Sequence, residues 1–336
     1  MNSGNSPMED FLRAHKVPVK RITYRGKKDI PKAFLQILYH FRHFKTDIAH
    51  GHSFDATVAG LPAAKLAGIK MRIYTRHHSD LHHTYHPSGK KYDRLNNRVA
   101  THIVAISQMV KNILTNMEHV PDHKITLIPH GFKLEEFDNV DAVAVERLRQ
   151  KYNPIGKRPV IGVIARQTEW KGVQHIIPAF EKLLKKYPEA LLILANASGD
   201  YKQHINHLLS KIPSQNYKEI VFENELFPLY KLFDVFVHVP ISPLVEAYGQ
   251  TYVEALAAGV PSVFTLSGIA QDFVVHKHNA LVVNFNDSDE IYDAVLELLE
   301  NNALKNSIIE NGKQVVWNRF QFNSMIQAIE KLYSTQ

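Results

Sequence analysis

The chain has 336 residues, 45% of them apolar and 22% charged, enough for about two ordinary domains, each able to bury a core. It contains no cysteine, which excludes disulfides and thiolate metal sites, and no apolar run approaches membrane-spanning length. The first residues, MNSGNSPMED, do not form a signal peptide, so a cytoplasmic protein is expected. The formal net charge of +7 is unevenly spread: residues 1–150 carry 23 Lys+Arg against 14 Asp+Glu and 14 of the 20 histidines, whereas residues 151–336 carry 17 against 19. Such asymmetry suits an anionic acceptor, an anionic membrane surface or nucleic acid. Without any nucleic-acid module signature, nucleic acid ranks last.

In chain order, an amphipathic segment from Met8 to His15 precedes an alternating run, Val17 to Tyr24, that reads as a strand. After the basic turn Arg25-Gly26-Lys27-Lys28, Asp29 and Pro31 open a helix. Its Phe34, Ile37, Leu38, Phe41 and Phe44 make one apolar face. That stripe reads as core, although Lys27, Lys28 and Lys32 beside it keep surface binding open. A short strand, Asp47 to His52, ends in His50-Gly51-His52; a helix through Ala56, Val58 and Leu66 follows, then strand Met71 to Thr75 running into Arg76-His77-His78. A helix at Tyr92–Ala100, a strand at His102–Ile106, a helix at Gln108–Met117 and a strand at Ile125–Pro129 complete this half. Residues 77–86, HHSDLHHTYH, hold five histidines. His78, His82 and His86 recur every four residues, so a helix could offer them to a metal. No acidic or cysteine partner is obvious, and a polar ligand-binding loop explains the stretch as well.

The second half alternates more clearly. After a helix near Val143–Tyr152, strand Val160–Ala165 leads into a polar loop, Arg166 to Gly172, and a helix with Val173, Ile176, Ile177, Phe180 and Leu183 on one face. Strands are expected at Leu191–Ala195, Ile220–Phe222, Val235–Val239, Ser262–Thr265 and Ala280–Val283, and helices near Asp289–Leu299, Ala303–Trp317 and Asn323–Leu332. Asp287-Ser288-Asp289 reads as a helix N-cap rather than a metal-binding acidic pair. The order argues for two doubly wound α/β domains, with ligand expected at the carboxyl ends of the strands.

The stretch Pro243–Pro261, PLVEAYGQTYVEALAAGVP, concentrates the chemistry. Gly249 allows a tight turn or close approach to a ligand. Thr251 and Glu254 have capping-box spacing, which starts a helix just after the glycine and aims free N–H groups at an anion. Glu246 and Glu254 would repel a phosphate but can accept hydroxyl hydrogen bonds, so a ligand joining hydroxyls to phosphate satisfies both demands. Arg166 and Lys171, in the loop before a helix, would hold a diphosphate and stabilise its charge as it leaves. The plain alternative makes Glu254 a cap, Glu246 a solvated loop residue, and the two cations solvated too.

The run Ala165-Arg166-Gln167-Thr168-Glu169-Trp170-Lys171-Gly172, the glutamates Glu246 and Glu254, and Ala255-Leu256-Ala257-Ala258-Gly259-Val260-Pro261 together are similar to the C-terminal domain of retaining glycosyltransferases of family four, which have the GT-B fold. Asp47 to His52, Tyr74-Thr75-Arg76-His77, Val104 to Ser107 and Ile128-Pro129-His130-Gly131 resemble that family's N-terminal domain. The resemblance implies two Rossmann-like domains facing across a cleft. Their expected bounds are 1–152 on the acceptor side and 153–318 for the donor, with a C-terminal helix, 319–336, crossing back. It also implies metal-independent transfer of a sugar from a nucleotide diphosphate donor with retention, as in glycan or cell-surface polysaccharide synthesis, and no cofactor. By the same resemblance, Arg166 and Lys171 clamp the diphosphate, Glu246 meets the donor sugar, and Gly249, Gln250 and Thr251 offer backbone N–H groups. Glu254 takes the ribose hydroxyls and His77 lies near the reacting centre. His50, His52, Arg76 and His78 are acceptor-side candidates, for a carbohydrate or lipid-linked acceptor.

The chain departs from that family at its start, where a strand, a glycine-rich loop, a helix and a second strand are missing before Val17–Tyr24; the N-terminal domain is thus expected to be shortened. His130 stands where the family has asparagine, and Gly268-Ile269-Ala270 is poorer in glycine than its counterpart. The missing strands suggest coverage of an open sheet edge by a second copy or another chain, and the basic N-terminal half suggests peripheral membrane contact. Two rival readings stay open: a non-catalytic nucleotide-sugar binding or scaffold protein, and a histidine-rich metal protein.

Overall fold

The structure, a computed structural model, describes residues 6–335. It divides into two compact units. One runs up to Ile106 and adds Val110–Ile128 and the stretch from Ile329; the other holds Ser107–Met109 and Pro129–Ala328. The main division therefore falls at 128/129, where the sequence places it at 152/153. The helix Ala142–Tyr152, capped by Asp141, goes with the second unit.

The first unit is built on a four-stranded parallel sheet of β1 (Ile48–Gly51), β2 (Met71–Arg76), β3 (His102–Ala105) and β4 (Ile125–Leu127), in that spatial order. Ile73, Ile103, Ala105 and Ile106 are fully or nearly fully buried, as expected of parallel strands covered on both faces. Helix α1 (Pro7–Ala14) starts on Ser6, whose hydroxyl accepts from the Glu9 N–H. Helices α2 (Ile30–His43) and α3 (Phe54–Leu66) pack on each other, and α3 buries Val58, Ala59, Leu61 and Ala64.

Two expectations fail here. The run Val17–Tyr24 forms no strand, and Pro18 in any case has no N–H to give to a ladder. Pro18, Val19, Lys20 and Ile22 instead line one wall of a cavity of about 850 Å³. Ala49, His50 and Gly51 of β1 and Ile37 and Phe41 of α2 line the others. The apolar stripe of α2 is only partly core: Phe34, Ile37, Leu38 and Phe41 are half-buried, while Phe44 is exposed.

The second unit carries six parallel strands: β5 (Val160–Ile164), β6 (Leu191–Ala195), β7 (Tyr217–Ile220), β8 (Val235–His238), β9 (Ser262–Phe264) and β10 (Leu281–Val282). Their spatial order is β10-β9-β8-β5-β6-β7, the doubly wound arrangement whose direction reverses between β5 and β8. Helix α4 (Val173–Lys186) buries Val173, Ile176, Ile177, Phe180 and Leu183 against the sheet and packs beside α5 (Ser288–Glu300). Strand β7 ends earlier than the sequence suggests; Val221 and Phe222 lie exposed beyond it. Asp287 caps α5 by accepting from the N–H groups of Asp289 and Glu290, so its carboxylate is a cap.

Among the described residues β1 is at the border of its sheet with one row of backbone groups lacking a ladder partner, a template for pairing. Concentration-dependent association is expected in light scattering at micromolar protein, and Ile48→Lys should abolish it. A monodisperse monomer before mutation would show that the edge stays open.

Candidate functional site

The reversal between β5 and β8 creates a crevice at their carboxyl ends. Arg166 follows β5, and its exposed guanidinium makes no hydrogen bond or ion pair among the described residues. Lys171 closes the turn Glu169–Lys171 and donates a short hydrogen bond to Oε1 of Glu246, in the loop after β8. Gly172, at φ +74°, then caps α4, and a Cβ there would lie 1.8 Å from the carbonyl oxygen of Val239. Only glycine lets the Lys171 turn come this close to the end of β8.

Glu246 is buried. Burial alone would raise its pKa, but Lys171 and then His238 outweigh it and hold the carboxylate at about 2, ionised at all ordinary pH. His238, the last residue of β8, is itself fully buried with Nε2 3.4 Å from Glu246 Oε1, and burial lowers its pKa despite that neighbour. Sequence reasoning missed His238; its only signal was a polar residue ending an apolar strand.

Helix α6 (Gln250–Ala257) begins directly after Gly249, which sits at φ +83° and provides no side-chain cap. The capping box read from Thr251 and Glu254 is not formed. Thr251, already inside the helix, has a buried hydroxyl oxygen without a partner, and Glu254 turns away to accept from the Tyr230 hydroxyl at 2.8 Å. Because glycine leads the helix, the first amides, those of Gln250 and Thr251, remain for a ligand. Burial raises the Glu254 pKa. Beside Glu254 lies a cavity of about 410 Å³, lined by Gln250, Asn224, Phe227, Phe137 and Lys133. The sequence did not single out the last four.

In the first unit, β1 and β2 bring His50, His52 and His77 together. The rings of His50 and His52 lie 4.1 Å apart and those of His52 and His77 5.9 Å apart. Nε2 of His50 meets the Thr75 hydroxyl at 2.8 Å and Nδ1 the Tyr333 hydroxyl at 2.7 Å. Burial, with smaller effects of His52 and His77, pushes the His50 pKa down to about 3, and burial lowers that of His52 as well. His77 is exposed.

Arg76 and His78 do not join them as surface groups. Arg76 is fully buried and ion-paired to Asp93 at 3.1 Å and Glu118 at 2.5 Å, because β2 is covered on both sides. Its place as an acceptor-side residue is therefore withdrawn. His78 bonds Asp93 at 3.2 Å, and His82 bonds the other oxygen at 2.6 Å. The helix here is short, Leu81–Thr84, and leaves His86 outside it, so the four-residue histidine repeat has no helical face. His78, His82 and Asp93 do cluster closely enough for a metal, Asp93 being the acid that sequence inspection overlooked. The Arg76 guanidinium already neutralises that carboxylate, which makes the cluster a structural ion network.

Two family models match the chain: glycosyl transferases group 1 over residues 144–315 and glycosyltransferase family 4 over residues 2–136. The chain belongs to this glycosyltransferase family. Among its relatives, a capsular polysaccharide biosynthesis glycosyltransferase, CapM of Staphylococcus aureus, is 26% identical over 96% of this chain and 85% of that protein. An Escherichia coli UDP-Gal:alpha-D-GlcNAc-diphosphoundecaprenol alpha-1,3-galactosyltransferase is 22% identical over 97% of this chain and 84% of its own length. The crystal structure of Anabaena Alr3699/HepE in complex with UDP and glucose superposes with a TM-score of 0.86 at 21% identity, covering 99% of this chain and 90% of that one. The glycosyltransferase has the GT-B fold.

The His50 shift has a definite sign. Its pKa is lower folded than unfolded, so the stability tied to its neutral form is complete above about pH 6.5. That stability is lost as the pH falls towards 3. His50→Asn should flatten the decline in melting temperature over this window, at a cost of about 1–2 kcal/mol at neutral pH for the lost hydrogen bonds. An unchanged acid profile would mean that His50 is solvated.

Proposed function

We propose that this glycosyltransferase moves a sugar from a UDP-sugar to a carbohydrate or lipid-linked acceptor in cell-surface polysaccharide synthesis, with retention at the anomeric carbon and without a metal ion. The observation that carries the reading is the crevice after β5 and β8. There Lys171 bonds an ionised, buried Glu246, the uncapped start of α6 lies next in the same loop, and Arg166, without a hydrogen bond or ion pair among the described residues, follows β5. In transfer, the bond from the anomeric carbon to the distal phosphate oxygen breaks, a bond to the acceptor oxygen forms, and the acceptor hydroxyl's proton passes to the departing phosphate oxygen; negative charge builds on the diphosphate as the bond breaks. Arg166, Lys171 and the N–H groups of Gln250 and Thr251 stabilise that charge, work that a divalent ion performs elsewhere. Glu246 is too acidic to donate a proton and instead accepts from donor-sugar hydroxyls. Glu254, at the edge of the smaller cavity, takes the ribose, with Phe227 and Asn224 beside the base. His77 is the residue proposed nearest the reacting centre. UDP is taken as the donor nucleotide because the galactosyltransferase and HepE are named with it.

A second reading, a nucleotide-sugar binder without turnover, is favoured by one observation, the large cavity beside the open edge of β1. Measuring both UDP binding and UDP-sugar turnover separates the two readings.

Calorimetry with UDP tests the clamp. Arg166→Ala should weaken binding by about 1.5–3 kcal/mol, the worth of a charge-assisted hydrogen bond, with no change in melting temperature, because the side chain is exposed and unpaired. Lys171→Ala should weaken binding similarly and also lower the melting temperature, since it strands a buried carboxylate. Glu254→Gln should impair binding of uridine itself. Unchanged UDP affinity in both cation variants would remove the diphosphate clamp.

A further inference from the structure

The transfer proposed above gives no task to His238, a titratable side chain buried at the end of β8. Its ring stacks on Phe236 with centroids 6.5 Å apart and meets Tyr252 edge-on at 4.7 Å. Neither ring nitrogen has a hydrogen-bond partner among the described residues, a costly state for a buried polar group that calls for an explanation. Nε2 stands 3.4 Å from Oε1 of Glu246, the same oxygen that takes the Lys171 bond. Two donors thus face one carboxylate oxygen, and Lys171 holds it. The donors differ in freedom, since His238 is fixed in a strand whereas Lys171 is partly exposed at the end of a short turn. Glu246 is tied down as well. Its N–H donates to the Ser267 hydroxyl at 3.3 Å, and the nearby Tyr248 carbonyl accepts from the Ile269 N–H at 2.8 Å, which joins this loop to the turn after β9.

We infer that His238 is a positioning residue that takes over Oε1 of Glu246 when a diphosphate draws Lys171 towards itself. The imidazole, as its Nε2–H tautomer, donates to Oε1 while the lysine turns its N–H groups to phosphate. No proton is transferred. The lysine moves and the glutamate does not, because the glutamate is held by its backbone and the lysine ends a flexible stem. The carboxylate therefore keeps a partner, and its direction in the crevice, at the step where a buried charge would otherwise be stranded. A residue that only filled space between Phe236 and Tyr252 would need no nitrogen beside Oε1. This inference rests on the diphosphate clamp proposed above and adds the group that lets Lys171 serve it.

Calorimetry with UDP, paired with thermal melts of the full chain, tests it. His238→Phe keeps an aromatic ring in place but cannot donate; without UDP it should melt no lower than wild type, yet bind UDP about tenfold more weakly, the worth of one hydrogen bond to a charged group. His238→Leu, smaller than the ring, covers the case in which Phe packs badly and should lose affinity by a similar factor. His238→Gln, whose amide reaches about as far as Nε2, should recover most of the affinity. In a Lys171→Ala background no lysine is left to release, so adding His238→Phe should leave UDP affinity where Lys171→Ala alone puts it, while lowering the melting temperature further because Glu246 then loses both partners. Wild-type UDP affinity in both His238→Phe and His238→Leu, no recovery in His238→Gln, or the same tenfold loss in the Lys171→Ala background would overturn the exchange and leave the clamp standing. Unchanged affinity in Lys171→Ala itself would remove the lysine from the clamp and the exchange with it.

Discussion

Lys171 and Glu246 come from loops that are 75 residues apart in sequence, and each is held in place by the other. A carboxylate as buried as Glu246 cannot stay charged without a cation, since stranding one such charge costs several kcal/mol. The loop after β8 is therefore stable only with the turn after β5 folded against it. Gly172 makes the approach sterically possible, its missing Cβ leaving room for the Val239 carbonyl. The sheet reversal supplies the crevice, and this pair sets its shape and its charge.

The pair also divides the labour of the two cations. Lys171 is committed to Glu246, so an anion entering the crevice would have to share it, whereas Arg166 makes no hydrogen bond or ion pair among the described residues. The uncapped start of α6 adds a third positive element at no cost in net charge. Together they give positive potential for phosphate next to an ionised carboxylate for hydroxyls, the two features that a nucleotide sugar combines.

The first unit treats buried charge differently. Arg76, Asp93, Glu118, His78, His82 and His83 form a connected network in which the guanidinium contacts both carboxylates. Such a network holds the loop after β2 in one arrangement. The polar residues left outside it at the strand ends are His50, His52 and His77, two of them with pKa values lowered by burial. Among the described residues the same unit leaves β1 at a sheet border beside a cavity of about 850 Å³, with Leu35 and Tyr39 of α2 exposed. Its unsatisfied surfaces thus lie on β1 and α2, away from the ion network.

Much was legible in the sequence because it depends on local spacing. Apolar runs marked nine of the ten described strands to within a residue or two, helical periodicity marked α2 and α4, and Gly249 marked where α6 begins. Arg166, Lys171 and Glu246 could be ranked because they stand in the loops after strand ends, where doubly wound sheets place ligands, and Glu254 because of its spacing from Thr251. Partners in space were not legible. Whether Arg76 faces a ligand or two buried acids depends on Asp93 and Glu118, which lie 17 and 42 residues away. Whether Glu254 caps its helix depends on Tyr230, and whether Val17–Tyr24 becomes a strand or a cavity wall depends on how it meets β1 and α2. Sequence periodicity reports which side of an element is apolar; charge pairing and ladder completion are set by residues that meet only after the chain has folded.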